Sequence, residues 1–298
     1  MSRPSTITAL PQQSAQAPAG AGAHWLLPSA APVLRQGLCA LAQPCLAQAQ
    51  HTPRFLFHDA TVLLVAAGRL DVDAGVSQLS VDAPTSLLLI EPGTCADLQK
   101  TPGGAEQRFR SVFLTLSSTL LEAFHQAHQQ THGARTQNSS QPVPYQQPLL
   151  DDELASTFRR VVDSVNIQRV SDARLQHRLM DFLLLLAERG HGFQDARQRG
   201  TAGRLRTLMG EAPEQRWTAH AAGQALAMSE ATLRRRLAGE GVRFEHLLAD
   251  IRMHHAMMLL QTTAWSIPRI AQACGYQSRA RFAERFRTRF GYLPSAVR

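Results

Sequence analysis

The sequence predicts an α+β protein: a β-rich N-terminal domain with trailing helices, followed by an all-α C-terminal domain. Short apolar runs separated by turn residues occupy residues 54–117, as is typical of antiparallel strands. From residue 118 onward the apolar residues recur at helical spacing. Toward the C-terminus one helix-turn-helix pattern occurs twice, from Trp217 to Gly241 and from Ser266 to Gly291.

The N-terminal part changes character at Arg54. Residues 1–24 are rich in Ala, Gln, Pro and Gly and hold little to bury, so we expect them to be disordered. Residues 25–50 are ambiguous, and a short helix around Val33–Ala42 is one interpretation. From Arg54 the strand-like runs and turn signals alternate at a spacing of roughly eight to twelve residues, which predicts an antiparallel β-barrel or sandwich.

Helices are predicted to follow these strands. The first begins near Leu120 and is followed by a polar loop over Gln129–Pro148. Two amphipathic helices come next, with the apolar faces Leu154, Phe158, Val161, Val162, Val165 and Leu175, Leu179, Phe182, Leu183, Leu186. The predicted boundaries are therefore a disordered segment at 1–24, a sheet-and-helix domain at 25–190, a linker at 191–203 and a double helix-turn-helix domain at 204–298.

Each copy of the repeated pattern has a serine that caps a second helix rich in arginine. The apolar anchors Leu233 and Leu237 lie at the same offsets from Ser229 as Phe282 and Phe286 do from Ser278. A connecting helix is predicted between the copies from the spacing of Phe244, Leu247, Leu248, Ile251, Met258 and Leu259. Such a helix would fix the two arginine-bearing helices relative to each other, so that they enter successive major grooves about 34 Å apart.

The charge distribution indicates nucleic acid as the partner of the C-terminal part. Residues 201–298 carry 15 Arg against 7 Asp and Glu, a net charge of +8, whereas residues 1–200 are neutral overall. A domain that neutralises phosphates needs such an excess, and a domain that does not bind DNA does not. Lys100 is the only lysine of the chain.

The pattern also predicts which side chains face DNA. With the apolar anchors turned inward, exposed residues of the two helices lie toward base edges, where Arg recognises guanine and Glu recognises cytosine. The base-reading candidates are Ala231, Arg234, Arg235, Arg279, Ala280, Arg281 and Glu284. The phosphate-binding candidates are Ser229, Arg236, Ser278, Arg285 and Arg287.

Residues 217–298 resemble the DNA-binding domain of AraC/XylS-family transcription regulators. The resemblance implies a sequence-specific double helix-turn-helix reader. Ala227 departs from the family pattern, because a glycine is frequent at that turn. The segment Ala238–Phe244 is about one residue shorter than the usual pattern. The segments that carry the resemblance are Ala222–Ser229, Thr232–Leu237, Ile270–Ser278, Arg281–Phe282 and Phe286–Ser295.

Residues 54–190 resemble, less specifically, the sensor domain of the same family, and Ser86–Thr94 is the best local match. This resemblance implies a cupin-like barrel that binds an effector, dimerises through its helices, or does both. Side chains on alternate strand positions would line the pocket, and half of the candidates must face the helices instead. The alternative is that all of them are simply core. The candidates are Phe57, Leu63, Val65, Leu87, Leu89 and Phe113.

Other function classes have little support. The predicted strands contain no closely spaced histidine pair with a glutamate, so no metal, no cofactor and no enzymatic activity are expected. His125, His128 and His132 lie beyond the strands in a polar segment. No run of about 18 apolar residues occurs, so we expect no membrane partner and a cytoplasmic location.

The expected partners are double-stranded DNA, RNA polymerase, a small-molecule effector or a regulatory protein, and a second copy of the chain. Three hypotheses remain open at this point. The chain is an effector-controlled regulator, a regulator controlled by a partner protein or by dimerisation alone, or a non-specific nucleic-acid-associated protein.

Overall fold

The computed structural model describes residue 25 and residues 31–75, 77–82, 84–132, 144–166, 170–194 and 200–297. It confirms the α+β organisation, because strands dominate up to residue 116 and helices follow. The disorder expected for residues 1–24 concerns a segment outside the described residues.

The strands form two antiparallel sheets around a shared apolar core. In chain order they are β1 (Val33–Arg35), β2 (Cys39–Ala42), β3 (Cys45–Leu46), β4 (Gln50–Leu56), β5 (Ala60–Ala67), β6 (Arg69–Asp73), β7 (Gln78–Val81), β8 (Leu88–Ile90), β9 (Cys95–Thr101), β10 (Phe109–Leu116) and β11 (Tyr145–Gln146). The larger sheet has the order β1-β2-β10-β5-β8-β11, with β3 also paired to β10, and the smaller has the order β4-β9-β6-β7. Across the described residues the sheets share no strand pairing, so the cupin-like barrel is open.

The larger sheet is buried on both faces, and β5 shows why its sequence is apolar throughout. Leu63 and Val65 point into the core between the two sheets. Val62 and Leu64 point the other way, into a second core that the helices cover. A strand covered on both faces has no solvent side, so its residues do not alternate between apolar and polar.

The helices are α1 (Ser118–His132), α2 (Asp152–Asn166), α3 (Asp172–Glu188), α4 (Thr201–Gly210), α5 (Ala219–Ala225), α6 (Glu230–Gly239), α7 (Phe244–Thr262), α8 (Ile267–Ala273) and α9 (Arg279–Phe290), followed by a 3₁₀ turn at Pro294–Val297. The predicted apolar faces of α2 and α3 are confirmed, since both are buried in the core beneath the larger sheet. There the ring centroids of Phe158 and Phe182 lie 5.4 Å apart. Asp151 caps α2 by accepting from the Leu154 N–H at 2.9 Å.

Three sequence-based expectations are corrected. The helix expected around Val33–Ala42 is a β-hairpin, because β2 pairs with β10 and Gly37 makes the reversal at φ +71°. Helix α1 runs to His132, three residues past the start of the predicted loop. Helix α4 begins at Thr201, inside the predicted linker.

The connecting helix α7 lies against the open side of the sheets. It contacts β3 of the larger sheet. Along β4 of the smaller sheet it brings His254 to Leu56 and Gln261 to Gln50. Met258 packs on the core between the sheets. We call this region the seam, defined as the contacts of residues 50–59 and Lys100 with residues 250–261, Arg289 and Tyr292.

Candidate nucleic-acid interface

The first helix-turn-helix unit consists of α5, a tight turn and α6. The Thr232 N–H donates to the Ser229 hydroxyl at 3.2 Å and so caps the first turn of α6, as predicted. Leu233 and Leu237 are buried in a core shared with α4, α5 and α7. With these anchors turned inward, the opposite face of α6 is left to solvent.

The second unit repeats this arrangement with aromatic anchors. The Arg281 N–H donates to the Ser278 hydroxyl at 3.3 Å at the start of α9. Phe282 and Phe286 are completely buried, and Phe290 extends the same apolar face to the last turn. The larger anchors give the second unit a deeper core of its own.

The two turns use the same backbone conformation with different residues. Ala227 in the first turn has φ +55°, and Gly275 in the second has φ +75°. The Ala227 value is strained for a residue with a Cβ, which is what its departure from the family pattern suggested. A Cβ on Gly275 would lie 2.7 Å from Nη2 of Arg252 and 3.0 Å from the carbonyl oxygen of Glu214. A side chain is therefore less well tolerated in the second turn, where glycine stands, than in the first, where alanine stands.

The structure places every base-reading candidate on the surface. Most of the phosphate candidates are exposed too, and Ser278 is half-buried. A groove of about 1400 Å³ runs between the two units, and Arg234, Arg281 and Glu284 line it together with Arg285. Ser278 also lines the groove. The other candidates do not line it: Ala231, Arg235, Arg236, Arg279, Ala280, Ser229 and Arg287.

Arg234 and Arg281 differ in what holds them. Nε of Arg234 donates to Glu230 and Nη1 donates to Glu245, each at 3.0 Å. The hydrogen bonds to Glu245 and Glu230 raise the pKa of Arg234 above its ordinary range. Within the described residues, the Arg281 guanidinium has no ion-pair partner. The guanidinium of Arg234 is thus held in one orientation by two carboxylates, and that of Arg281 is not.

Helix α4 and its anchor were not predicted from the sequence. The Glu240 carboxylate, at the end of α6, accepts from the backbone N–H of Thr201 at 2.6 Å and of Ala202 at 2.9 Å. A carboxylate at a helix N-terminus satisfies free N–H groups and the helix dipole together. The start of α4 is therefore hydrogen-bonded directly to the end of α6, the first candidate reading helix.

Arg289, at the end of the second candidate reading helix, is fastened to β4. Its Nε donates to Asp250 at 2.8 Å, and its two terminal nitrogens donate to the carbonyl oxygens of Pro53 and Arg54. These carbonyls belong to a bulge where the register of β4 against β9 shifts. A bulge releases backbone groups from strand pairing, and here they become acceptors for α9.

His254 of α7 makes a further contact with β4, in addition to those of Arg289. The Leu56 N–H donates to Nε2 of His254 at 2.8 Å, while Nδ1 lies 2.7 Å from the carbonyl oxygen of Asp250. Nε2 must then be the unprotonated nitrogen, and the ring is neutral. Burial, followed by the charge of Arg289, lowers the pKa of His254 to about 3.

Lys100 lies inside the seam without a counter-charge among the described residues. Its ammonium group donates to Oε1 of Gln261 at 2.8 Å, and the Gln261 amide donates in turn to Gln50. Burial lowers the pKa of Lys100 to about 7. The alternation of β9, with Ala96, Leu98 and Lys100 facing inward, is the sequence signal that could have located this residue.

The predicted pocket residues separate into two groups. Phe57, Leu63, Val65 and Phe113 lie in the core between the sheets. Leu87 and Leu89 do not: they pack in the core beneath the helices, because successive strand residues point to opposite faces. The prediction is corrected for this pair, and Leu88 and Ile90 occupy the inner face instead.

The histidines considered as metal ligands have other contacts. Nδ1 of His125 lies 2.7 Å from the carbonyl oxygen of Leu121, and Nε2 lies 3.0 Å from that of Phe193. His128 stacks on Phe124. Among the described residues, no three His, Cys, Asp or Glu side chains cluster as metal ligands would. No helix in the described ranges is both long and apolar enough to cross a membrane.

The C-terminal region of the chain is similar in sequence to known proteins. Residues 223–298 match the model of a family described as a helix-turn-helix domain. The chain is 35% identical over 91 residues to a urease operon transcriptional activator of Escherichia coli, covering 30% of this chain and 31% of that protein. It is 33% identical over 96 residues to the transcriptional regulator YdeO of E. coli K12, covering 32% and 38%. The chain thus spans about a third of these relatives, which are regulators rather than enzymes.

The fold of 87% of the chain is similar to that of ToxT from Vibrio cholerae. A structure of apo ToxT K231A superposes with a TM-score of 0.59 at 14% identity, covering 87% of this chain and 96% of that one. A ToxT structure bound to (E)-4-(8-methylnaphthalen-1-yl)but-3-enoic acid gives a TM-score of 0.60 at 14% identity, covering 87% and 97%. At this identity the likeness concerns the fold alone.

The two turns yield a matched pair of stability predictions. Ala227→Gly should raise the free energy of unfolding by about 0.5–1 kcal/mol, because glycine relieves the left-handed strain. Gly275→Ala should lower it by more than that, because the new Cβ adds close contacts to the same strain. Urea denaturation of both variants measures the difference. Changes in the free energy of unfolding that are opposite in sign and equal in size would contradict the extra contacts at Gly275.

The buried His254 predicts a loss of stability in mild acid. Its pKa is about 3 when folded and about 6.5 when unfolded, so below pH 6.5 the unfolded chain binds a proton that the folded one does not. His254 alone should lower the free energy of unfolding by up to about 1.4 kcal/mol per pH unit from pH 6.5 downward. His254→Gln should remove this share and leave that of His58 and His255, whose pKa values burial also lowers. The matched change at the exposed His220 should leave the whole slope intact.

Lys100 predicts a rise of stability in mild alkali. Its pKa is about 7 in the folded protein and 10.5 in the unfolded chain, so unfolding takes up a proton between these values. The free energy of unfolding should rise with pH above 7 by up to about 1.4 kcal/mol per unit. Lys100→Met should abolish the rise and Gln99→Met, on the same strand, should keep it. A wild-type slope of zero between pH 7.5 and 8 would contradict a buried Lys100 without a counter-charge. Above this range the thiols of Cys39 and Cys274, whose pKa values burial raises, begin to ionise in the unfolded chain and oppose the rise.

Proposed function

We propose, from the premise that the C-terminal region is a helix-turn-helix domain of the AraC/XylS family, that this chain is a sequence-specific transcription regulator. In this proposal α6 and α9 read DNA and the N-terminal sheets sense a signal. The observation that carries it is the pairing of two capped, arginine-bearing helix faces on either side of one groove. The net positive charge of the chain, +8, is carried by residues 201–298, which include this domain.

The connecting helix supports reading at two adjacent places. Phe244, Leu247 and Ile251 of α7 are buried in the core of the first unit. Met253 and Met257 are buried in the core of the second. One continuous helix thus fixes the spacing of α6 and α9, which suits half-sites about one helical turn of DNA apart.

The structure favours distinct roles for the candidate residues. We assign base reading first to Arg281 and Glu284 of α9, because they line the groove, and Arg281 has no ion-pair partner in the described part of the chain. Arg234 contacts base edges from the orientation in which its hydrogen bonds to Glu230 and Glu245 hold it. Ala231, Arg235, Arg279 and Ala280 are secondary base-reading candidates. Contacts to phosphate are assigned to Ser229, Arg236, Ser278, Arg285 and Arg287.

The N-terminal sheets are proposed to receive a small organic molecule. Structures of the similarly folded ToxT contain an unsaturated fatty acid or a naphthyl-butenoic acid. In this chain the seam joins the sheets to α7 and α9, so occupancy of the sheet domain would be transmitted to the candidate reading helices. RNA polymerase, a second copy of the chain and a regulatory protein are further proposed partners, with control by a protein or by dimerisation as the alternative.

The base-reading assignment predicts a change of specificity in Arg281→Ala. Binding to the preferred duplex, selected from a random pool, should weaken about tenfold or more, with relaxed selection at one base pair. Arg287→Ala should instead weaken all duplexes alike and reduce the salt dependence of binding. Arg174→Ala, at an exposed position of α3, is the matched control. Fluorescence anisotropy with the selected and scrambled duplexes measures each effect.

Two outcomes would contradict the assignment. If Arg281→Ala weakened selected and scrambled duplexes equally, Arg281 would contact phosphate rather than a base. If the wild-type chain bound both duplexes with similar affinity at physiological salt, it would be a non-specific nucleic-acid-associated protein, since specific readers prefer their site by roughly 10³-fold or more.

A further inference from the structure

Arg252 of α7 lies where the two helix-turn-helix units meet, at the groove between them. Its Nε donates to the carbonyl oxygen of Pro213 at 3.0 Å, and its Nη2 donates to that of Gln215 at 2.9 Å. Both acceptors belong to the loop between α4 and α5, through which the chain enters the first unit. Because a guanidinium is planar and its donors have fixed directions, two such hydrogen bonds restrain the tilt of the loop as well as its position.

The same guanidinium contacts the second unit. Its Cζ lies 5.7 Å from the centroid of the Tyr276 ring, within the distance of a cation–π contact. The Tyr276 ring packs edge-to-face on Phe282, the first anchor of α9, with centroids 5.7 Å apart. A Cβ on Gly275 would collide with Nη2 of Arg252, so the turn of the second unit lies directly against the guanidinium. Arg252 therefore contacts both units at once.

Both contacts lie three residues before the N-cap of a helix. Gln215 precedes Thr218, which caps α5, and Gly275 precedes Ser278, which caps α9. Between the first contact and its helix, Trp217 packs on the core that also buries the anchors of α6. A change at the guanidinium is therefore passed to α6 through the first unit and to the DNA-facing end of α9 through the turn.

Hydrogen bonds restrict the rotation of the units more sharply than their apolar packing on α7 does. Apolar burial is non-directional, whereas a hydrogen bond weakens steeply as its angle departs from linear. Rotation matters on DNA, because one extra base pair between two half-sites moves the second by about 3.4 Å and turns it by roughly 35°. A protein that accepts a single spacing needs a directional link between its two reading helices.

We propose that Arg252 is a positioning residue that fixes the orientation of α9 relative to α6 and thereby sets the half-site spacing that the protein accepts. This proposal rests on the proposed function, because it concerns how the two candidate reading helices act together on one duplex. Arg252 acts through the loop between α4 and α5 and through the turn at Gly275 and Tyr276. The bases themselves are contacted by residues of α6 and α9.

The test uses the full-length chain and duplexes that carry the two selected half-sites with the spacer shortened or lengthened by one base pair. Fluorescence anisotropy should show that the wild-type chain prefers one spacing over its neighbours by about tenfold or more, as expected when a misplaced helix loses a base contact. Arg252→Met keeps the aliphatic length and removes the donors, so this ratio should fall at least threefold while the base preference within each half-site is unchanged. Arg252→Lys, which keeps the charge but not the planar fork, should give an intermediate ratio.

A second variant displaces the guanidinium without removing it. In Gly275→Ala the new Cβ would lie 2.7 Å from Nη2 of Arg252, so the spacing ratio should fall here too. Ala227→Gly, in the corresponding turn of the first unit, is its matched control. Arg243→Met is the control for the lost charge, because Arg243 is exposed at the start of the same helix and makes no capping hydrogen bond. Both controls should keep the wild-type ratio.

The orientation of the two units is also measured without DNA. Nitroxide labels at Ala238→Cys of α6 and Thr288→Cys of α9, both exposed positions, report the distance between the helices by double electron–electron resonance. The accessible Cys45 and Cys95 are replaced by serine, and the other two cysteines are buried. The distance distribution should be broader in Arg252→Met than in the wild-type background.

The outcomes separate this proposal from the proposed function. If Arg252→Met weakened binding equally at every spacing, Arg252 would contact DNA itself, and the positioning role would be overturned. An unchanged spacing ratio in both Arg252→Met and Gly275→Ala, or an unchanged distance distribution, would overturn it as well. If the wild-type chain showed no base preference at any spacing, the DNA-reading function would be refuted, and the distance measurement would still decide whether Arg252 fixes the two units.

Discussion

The packing of α7 is the constraint on which the rest of the structure depends. Residues near its start complete the core of the first helix-turn-helix unit, Met253 and Met257 complete that of the second, and Met258 reaches the core between the sheets. A helix that is apolar on almost every side belongs to several cores at once. Moving α7 therefore disturbs both candidate reading helices and the sheets together, so the position of the sheets is coupled to that of α6 and α9.

The parts of the fold that the sequence predicted correctly are those specified by neighbouring residues. Ser229 and Ser278 cap helices three residues away, and the anchors Leu233 and Phe282 follow at fixed offsets, so short-range chemistry sufficed. The hairpin at residues 33–42 was mistaken for a helix because its pairing partner, β10, lies about seventy residues later in the chain. Which of the pocket candidates face the helices, as Leu87 and Leu89 do, could not be predicted, because a strand covered on both sides carries no polar residues to mark its register.

The seam could not be predicted for a different reason. Its hydrogen bonds join residues that are 161 to 241 positions apart in the chain, as in the pairs Lys100–Gln261 and His51–Tyr292. Neither partner in these pairs lies in a local sequence pattern that would mark it as a contact residue. The two candidate reading helices are held by different contacts. Arg289 joins α9 to β4, whereas Glu240 joins the end of α6 to the start of α4. The two copies of one sequence pattern thus differ in the contacts that hold them in place.

The burial of Lys100 has a practical consequence for studying this protein. Because the chain contains a single lysine and the seam covers it, a lysine-specific acylating reagent meets its target only when the sheets and α7 separate. The extent of modification at that residue then measures the population of the open seam by mass spectrometry, with no engineered label. The molecule carries its own footprinting probe, located at the contact whose opening matters.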